Sequence, residues 1–523
     1  MRLRLAALAV IAVALVAQPA LAYNETLHAA LARHAFTSPE RAAWLAQPLQ
    51  PPTEADLAGL RGLFWKTAAA APDAGLRAKF LERFPTEAAL DAWAFKELFM
   101  LNPAARVHGF DLTPDEAGPL TRGDLLQRAS RWPDDDKRNQ DRFARDGNRE
   151  VLHAPDGSPL PFDPATLDLG ALEGSSSQGH AHYGLVKGPL SDDPEVLKKD
   201  PAHFAVPPTA HAVGPELAQL YTDLALLAAT SGLPSSEWLA ATFAGAAFHH
   251  IEDVANQIHT VQVGIYDFFE AAFLQSKLRD VKTLGGLLGE RKTLKQLGLR
   301  LIANHHLFSE DLFAKRFAEA EGGKNTAKAV SSALASLGQD DAECAAHAAE
   351  VIALEDGQFG RGLADAIIDF SSKEGPEVYK LAYQLTAPTL RDGTGHAFDG
   401  ALGDDADNFL QQGPKTFPLL EQFYALELRG LRRATTGLRL WQQRFEAESA
   451  GDVAALRARG VQRSFAFLLR YQDEAAKRRA ASVPPTSEHE GIAWGYPIAA
   501  AILLAAAAFG LARLRRKLLR RAL

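Results

Sequence analysis

The spacing of apolar residues within long stretches of strong helix formers constrains the fold of this chain more than any other feature. Ala, Leu, Glu, Lys and Arg dominate these stretches, and apolar side chains recur at steps of three and four residues, which places them on one face of a helix. Examples are 215–230, 236–259, 287–321, 324–337, 415–446 and 452–480. Convincing runs of alternating apolar and polar residues, which would indicate strands, do not occur. The sequence therefore predicts an all-α protein.

Apolar segments at both ends of the chain predict export and membrane anchoring. Residues 1–22 combine a basic start, an apolar centre and a small-residue ending, which is typical of a secretory signal peptide cleaved after Ala22. Residues 491–512 carry no charge and are long enough to cross a bilayer core of about 30 Å as one transmembrane helix. The basic tail that follows, 513–523, favours a cytoplasmic end. We expect a single-pass protein of the cell membrane whose body lies outside the cytoplasm.

Between these ends, the sequence predicts one exported helical body, 23–480, and a short linker, 481–490. The ligand candidates described below fall in 23–310, and 311–480 is expected to form a helical extension. The chain has a formal net charge of −8, and all its acidic residues lie between the two end segments, so the body is more acidic than the whole. This negative charge disfavours a protein that binds nucleic acid along its surface.

The chain contains one cysteine, Cys344. A single cysteine excludes an intramolecular disulfide and a cysteine-rich zinc site. In its Ala-rich helical surroundings, Cys344 is expected to be a small core residue. Metal ligands must then come from His, Asp and Glu residues.

His249, Asp253 and His259 form a metal-ligand spacing within the predicted helix 236–259. His249 and Asp253 lie one turn apart on the same helical face. His259 is rotated by about 80° from His249 if the helix continues at 100° per residue. One helix is thus expected to supply ligands to two neighbouring metals, an arrangement typical of enzymes that hydrolyse phosphate esters.

Three neighbours of these residues are expected to support them or to lie on the surface. His250 and Glu252 flank the candidate ligands on the same helix. A position beside the ligands or on the surface suits them better than direct coordination. The side-chain amide of Gln257 is a candidate to support a metal ligand by hydrogen bonding.

Two further pairs offer ligands. His306 and Glu310 are again four residues apart in a predicted helix, although an ordinary polar surface pair has the same spacing. After cleavage, Tyr23 would present a free amine and a carbonyl that chelate one metal in a five-membered ring. His28 would close that site; the alternative is an ordinary first helix with a surface histidine.

The region 100–212 is rich in Pro, Gly, Asp and Ser, and it also carries candidate ligands. Long irregular segments inside a domain are usually functional or disordered, and the His and Asp content favours a ligand-bearing loop. Asp134, after Trp132 and Pro133, is a candidate carboxylate ligand, with a solvated acidic run as the alternative. One imidazole position has three candidates, His180, His182 and His203.

The order of these residues along the chain resembles the zinc-dependent phospholipase C and single-strand nuclease superfamily. The resemblance covers roughly 23–310 as ordered positions, and its most specific part is the segment 245–259, GAAFHHIEDVANQIH. Members of this superfamily are all-helical enzymes with three zinc ions, in which the mature N-terminal residue is itself a ligand.

The resemblance implies three zinc sites in this chain. The first would be held by Asp134, a loop histidine, His249 and Asp253. The second would be held by His259, His306 and Glu310. The third would be held by Tyr23, His28 and a bridging Asp253. Among the loop histidines, His182 is preferred because Ala-His-Tyr resembles the family's step of a small residue, His and an aromatic residue.

The resemblance also implies the chemistry. Zinc lowers the pKa of a bound water to about 7 and so creates hydroxide at neutral pH. Asp134 is the candidate catalytic residue that would orient the attacking water. Two zinc ions would neutralise the charge of a phosphodiester, and the third would stabilise the leaving oxygen.

Departures from the family pattern bear on the substrate. Tyr23 stands where the family usually has Trp, and the gap from His259 to His306 is longer than in the small secreted members. The extension 311–480 and the membrane anchor have no counterpart there. The sequence predicts a membrane-anchored zinc phosphodiesterase, most like a phospholipase C acting on phospholipids. A nuclease acting on single-stranded nucleic acid is the first alternative, and a non-catalytic, zinc-stabilised helical binding protein is the second.

Overall fold

A computed structural model describes most of the predicted helical body. The described residues are 25–90, 120–131, 145–146, 149–150, 214–260, 312–324, 328–355, 357–392 and 416–482. Helices dominate them, and the prediction of an all-α protein is confirmed. Within these residues, the strands are a two-residue antiparallel pair, β1 (Arg145–Asp146) and β2 (Arg149–Glu150).

The described residues up to 131 form six helices. They are α1 (Glu25–Ala35), α2 (Pro39–Leu45), α3 (Glu54–Ala69), α4 (Ala74–Arg83), α5 (Glu87–Leu90) and α6 (Arg122–Arg131). Local sequence explains several of their starts. Thr53 and Asp56 form a capping box at the start of α3, in which each side chain binds the backbone N–H of the other residue. Asp73 caps α4 by a single bond, in which its side chain accepts from the N–H of Leu76.

Two helices, α7 (Gly214–Ala229) and α8 (Ser236–Ala255), form the centre of the molecule. Almost every residue of both helices is buried. Their sequences are largely apolar around the helix, which is typical of helices enclosed by other helices rather than lying at a surface. The functional candidates on α8 are therefore enclosed in the interior of the protein.

The described residues after 311 form further helices, two of which are 34 residues long. They are α9 (312–321), α10 (Lys328–Leu334), α11 (Ala342–Leu354), α12 (Phe359–Asp392), α13 (Thr416–Ser449) and α14 (Val453–Ser482). The last helix, α14, ends at Ser482, so its final two residues fall in the predicted linker 481–490.

The extension shares one hydrophobic core with the ligand-bearing part of the chain. Trp441 of α13 is buried with its ring edge-on to Phe248 of α8 at 5.1 Å. Its indole N–H donates to the hydroxyl of Thr222 on α7 at 2.8 Å. Truncating so large a buried ring costs roughly 3–5 kcal/mol, so the extension stabilises the central helices directly.

The predicted helix over 236–259 is wrong at its C-terminal end. α8 stops at Ala255, Asn256 has an extended backbone (φ −68°, ψ 115°), and a separate 3-10 turn follows at Gln257–Thr260. The side-chain oxygen of Asn256 accepts from the backbone N–H of Ile258 at 3.1 Å. Asn favours such local bonds over helix continuation, so the rotation of about 80° expected for His259 does not apply.

Several sequence predictions fall outside the described residues, among them the signal peptide 1–22, the transmembrane helix 491–512 and the tail 513–523. Within the part of the chain that the structure covers, no helix combines the length and the apolar character needed to cross a membrane.

Candidate metal centre

Two side chains on one face of α8 form the base of the site. His249 and Asp253 are one turn apart, as their spacing predicts, and both are fully buried. The Nε2 atom of His249 lies 2.9 Å from Oδ2 of Asp253. Polar groups of this kind are rarely enclosed in a core of Phe, Leu and Ala side chains unless they have a specific role.

His28 of α1 completes a cluster with these two residues. Its Nε2 atom lies 3.5 Å from Oδ1 of Asp253, and its ring centroid is 4.3 Å from that of His249. The three residues offer ligand atoms that all lie within 4.8 Å of one another. His28 is fully buried, so the alternative of a surface histidine on an ordinary first helix is excluded.

His259 reaches the same carboxylate from the 3-10 turn. Its Nδ1 atom lies 3.8 Å from Oδ1 of Asp253, and its side chain is fully buried. The two oxygens of Asp253 therefore face different histidines: Oδ2 faces His249, whereas Oδ1 faces His28 and His259. A carboxylate arranged in this way is suited to bridge two metal ions.

A backbone carbonyl holds the ring of His249 in place. The carbonyl oxygen of Ser130, in the last turn of α6, lies 2.6 Å from Nδ1 of His249. Since a carbonyl only accepts hydrogen bonds, the Nδ1 atom carries the proton and donates. In the neutral ring, the lone pair is then on Nε2, the atom that faces Asp253. Metal-binding histidines are commonly fixed in this way.

A close helix crossing brings Ser130 to His249. A Cβ atom at Gly245, one turn before His249, would lie 2.5 Å from Cβ of Ala129 and 2.8 Å from the carbonyl oxygen of Leu126. No real side chain fits at these distances, so only glycine allows α6 to approach α8 so closely.

Glu252 holds the ring of His28. Its Oε2 atom lies 2.5 Å from Nδ1 of His28, and its side chain is fully buried. The expected supporting position of Glu252 is thus observed, although the sequence does not indicate that its partner is His28. His250 lies to the side, stacked on Tyr221 with ring centroids 5.7 Å apart.

The donor set fits zinc. Three imidazoles and one carboxylate are ligands that zinc accepts, and two buried carboxylates, Asp253 and Glu252, favour a divalent cation on grounds of charge. Two ligands of one tetrahedral zinc ion lie about 3.3 Å apart, given zinc–ligand distances of about 2.0–2.1 Å. The separations of His249 and His28 from Asp253, the pairs that would share an ion, are 2.9 and 3.5 Å and bracket this value.

The remaining candidate ligands lie outside the described residues and stay predictions. They are Tyr23, Asp134, His182 with its rivals His180 and His203, His306 and Glu310. Their neighbours along the chain are described: α1 begins at Glu25, α6 ends at Arg131, and α9 covers 312–321.

Sequence reasoning missed the support that Ser130 gives. A backbone carbonyl leaves no residue-specific signal, so no pattern indicates its role. The glycine at 245, one turn before His249, is the one indirect sign of a close crossing.

No protein-family model, curated protein or solved structure matches this chain. The assignment of the site therefore depends on its residues and their geometry.

Proposed function

We propose that this protein is an exported, membrane-anchored, zinc-dependent phosphodiesterase, most like a phospholipase C. One observation carries the proposal: three histidines from separate elements converge on the two oxygens of one buried carboxylate, Asp253. Structural needs alone seldom bring so many ionisable groups together in an apolar core. Buried clusters of this composition are typical of catalytic metal centres.

The proposed ligands form three groups around Asp253. His249 and Asp253 would bind the first zinc with Asp134 and His182. His259 would bind the second with His306 and Glu310. His28 and Asp253 would bind the third with the amine and carbonyl of Tyr23.

Short connections along the chain support these groups. Asp134 follows α6, whose residue Ser130 binds His249, and four residues span at most about 14 Å when fully extended. Tyr23 precedes His28 by five residues, and Glu310 lies two residues before the start of α9 at residue 312. Asp134, Tyr23 and Glu310 are thus each close along the chain to an element that is described, whereas His182 is assigned by the resemblance alone.

The bound zinc would supply hydroxide at neutral pH and positive charge for a phosphodiester. The chain's own residues have positioning roles. Ser130 and Glu252 fix which nitrogens of His249 and His28 carry protons, and Asp253 holds the two histidine positions at a set distance. Asp134 is proposed to orient the attacking water.

The charge of the chain supports a lipid substrate over a nucleic acid. A formal net charge of −8 disfavours binding to a polyanion, since association with nucleic acid depends on basic patches. The predicted anchor would hold the body beside phospholipid.

Full-length protein in detergent tests the proposal. We expect diacylglycerol release from phosphatidylcholine vesicles that is abolished by a chelator, restored by zinc and absent in Asp253→Asn. Chelator-sensitive cleavage of single-stranded DNA instead would favour a nuclease. Zinc binding with activity on neither substrate would contradict the enzymatic role and favour a zinc-stabilised binding protein.

A further inference from the structure

The 3-10 turn that carries His259 is hydrogen-bonded to the C-terminal extension. The side-chain amide of Gln257, two residues before His259, donates to the carbonyl oxygen of Leu426 on α13 at 2.6 Å. The same nitrogen donates to Oε2 of Glu374 on α12 at 3.1 Å. Gln257 is fully buried, and its bond to Leu426 is shielded from water, whereas Glu374 is partly exposed. The helices α12 and α13 thus both accept hydrogen bonds from the side-chain amide of Gln257.

The backbone of α13 also touches this segment directly. A Cβ atom at Gly430 would lie 2.6 Å from the carbonyl oxygen of Ala255 and 2.8 Å from Oε1 of Gln257. Only glycine permits this approach. On the α12 side, the hydroxyl of Ser371 donates to the same carbonyl of Ala255 at 3.3 Å. The end of α8 and the start of the turn are therefore enclosed between α12 and α13.

Glu374 is itself fixed by two arginines of α13. Arg433 donates to both carboxylate oxygens, at 2.7 and 3.0 Å, and Arg429 donates to Oε1 at 2.8 Å. Burial favours the neutral acid, but the hydrogen bonds and positive charge of Arg433 outweigh it and hold the pKa of Glu374 below its usual range. Glu374 therefore presents a rigid carboxylate to Gln257.

The hydrogen bonds within the turn are local: the N–H of His259 donates to the carbonyl of Asn256 at 3.0 Å, and the hydroxyl of Thr260 donates to the carbonyl of Gln257 at 2.7 Å. The turn is four residues long and follows the extended backbone of Asn256, which ends α8. Short 3-10 turns have weak internal hydrogen bonds and depend on their surroundings. Contacts from outside the turn therefore contribute to the position of His259 relative to Asp253.

We propose that Gln257 and Glu374 are positioning residues of the metal centre, through which the C-terminal extension holds His259 at its place beside Asp253. This inference rests on the proposed zinc function and assigns the extension a part in it. Groups that orient metal ligands typically affect metal affinity by roughly 10–100-fold, so the expected effect is measurable.

Zinc affinity of the full chain, measured by competition with a chromogenic chelator, tests the proposal. Glu374→Gln keeps the shape of the side chain but removes the charge that Arg433 and Arg429 hold. We expect it to weaken zinc binding at one class of sites by roughly tenfold. The matched control is Glu446→Gln, because Glu446, on α13, likewise forms a two-point pair with an arginine, Arg41, but lies far along the chain from the turn. The control should bind zinc like the wild type.

A double-substitution cycle separates positioning from general stability. If Gln257→Ala acts through His259, the variant that combines it with His259→Ala should bind zinc no more weakly than His259→Ala alone. A further loss in the double variant would overturn the proposal, because Gln257 would then act by another route.

Three more outcomes decide the matter. Equal zinc affinity of Glu374→Gln and Glu446→Gln would overturn this inference while leaving the zinc function intact. A wild-type chain that binds no zinc would overturn the proposed function and this inference with it. If Glu374→Gln does not fold, Arg429→Ala replaces it, since Arg429 is half exposed and contacts only Oε1 of the carboxylate. The proposal would be overturned if Arg429→Ala left zinc affinity unchanged and the effects of Gln257→Ala and His259→Ala on zinc affinity were additive.

Discussion

The Nδ1 atom of His28 lies 2.5 Å from Oε2 of Glu252, and both side chains are fully buried. This contact joins α1 to α8 and turns the other ring nitrogen of His28 toward Asp253 at 3.5 Å. The carboxylate, the imidazole and the predicted metal position thus follow one another, as in many zinc enzymes. Glu252 therefore supports a ligand on another helix, whereas its neighbour Asp253 is itself a candidate ligand.

Glu252→Gln should weaken zinc binding by about tenfold, because the loss of the charge makes His28 a poorer ligand and frees its ring to turn. Chelator competition on the full chain measures this change. Glu237→Gln is the control, since Glu237 lies on the same helix but is exposed and pairs with Arg122. Equal affinities of the two variants would contradict the role of Glu252.

Gly245→Ala should destabilise the protein by roughly 1–3 kcal/mol, the usual cost of overpacking a core. The added Cβ would overlap Ala129 and the carbonyl of Leu126, so α6 must move away from α8. Chemical denaturation measures the loss. Gly75→Ala is the matched control, because a Cβ in helix α4 would meet only Asp73, at 3.4 Å. Similar stabilities of the two variants would contradict the close crossing.

Cys344 should not react with thiol reagents at pH 8 while the protein is folded. The side chain is fully buried, and burial, assisted by the negative charge of Asp341, raises the pKa of its thiol to about 12. We expect one thiol per chain to react only after unfolding in denaturant. Rapid labelling of the native protein would contradict the position of Cys344 in the core.

The stability of the folded protein should depend on the charge of Asp365. Burial raises the pKa of Asp365 to about 6 from its usual 3.8, although Arg361 opposes the shift. The folded state then binds a proton more tightly than the unfolded state, so the favourable contribution is complete below pH 4 and is lost as pH rises through about 6.

Asp365→Asn should therefore gain stability relative to the wild type between pH 4 and pH 7. We expect a gain of about 1 kcal/mol, reduced by solvent screening because the side chain is 36% exposed. Denaturation at several pH values measures it. A constant difference between the two proteins across this range would contradict the raised pKa.

The helical architecture could be predicted because apolar periodicity is a local property. Predicted helices over 215–230, 415–446 and 452–480 lie close to the observed α7, α13 and α14. Local signals misled at one place, since the helix over 236–259 stops early because Asn256 bonds to the backbone. The observed α12, over which no helix was predicted, continues through Gly375 and Pro376, which would end many helices.

The site could be predicted only where its residues share a helix or follow the order of ligands along the chain of a known family. The spacing of His249 and Asp253 follows from one helical turn, and His28 was connected to them through a family resemblance rather than through geometry. The contacts of Ser130 with His249 and of Gln257 with Glu374 join residues more than a hundred positions apart. Local sequence carries no signal for such contacts, because they depend on how helices cross.

A measurement of the number of zinc ions bound per chain tests the central claim most directly. Full-length protein whose mature N-terminus has been verified is loaded with zinc, dialysed against metal-free buffer and analysed by mass spectrometry of the metal, beside Asp253→Asn. We predict that the wild type retains three zinc ions and that Asp253→Asn loses those that share the carboxylate. His347→Ala, which changes a half-buried histidine paired with Asp369, should retain the wild-type content. Equal zinc content in wild type and Asp253→Asn, or no retained zinc in the wild type, would contradict the account.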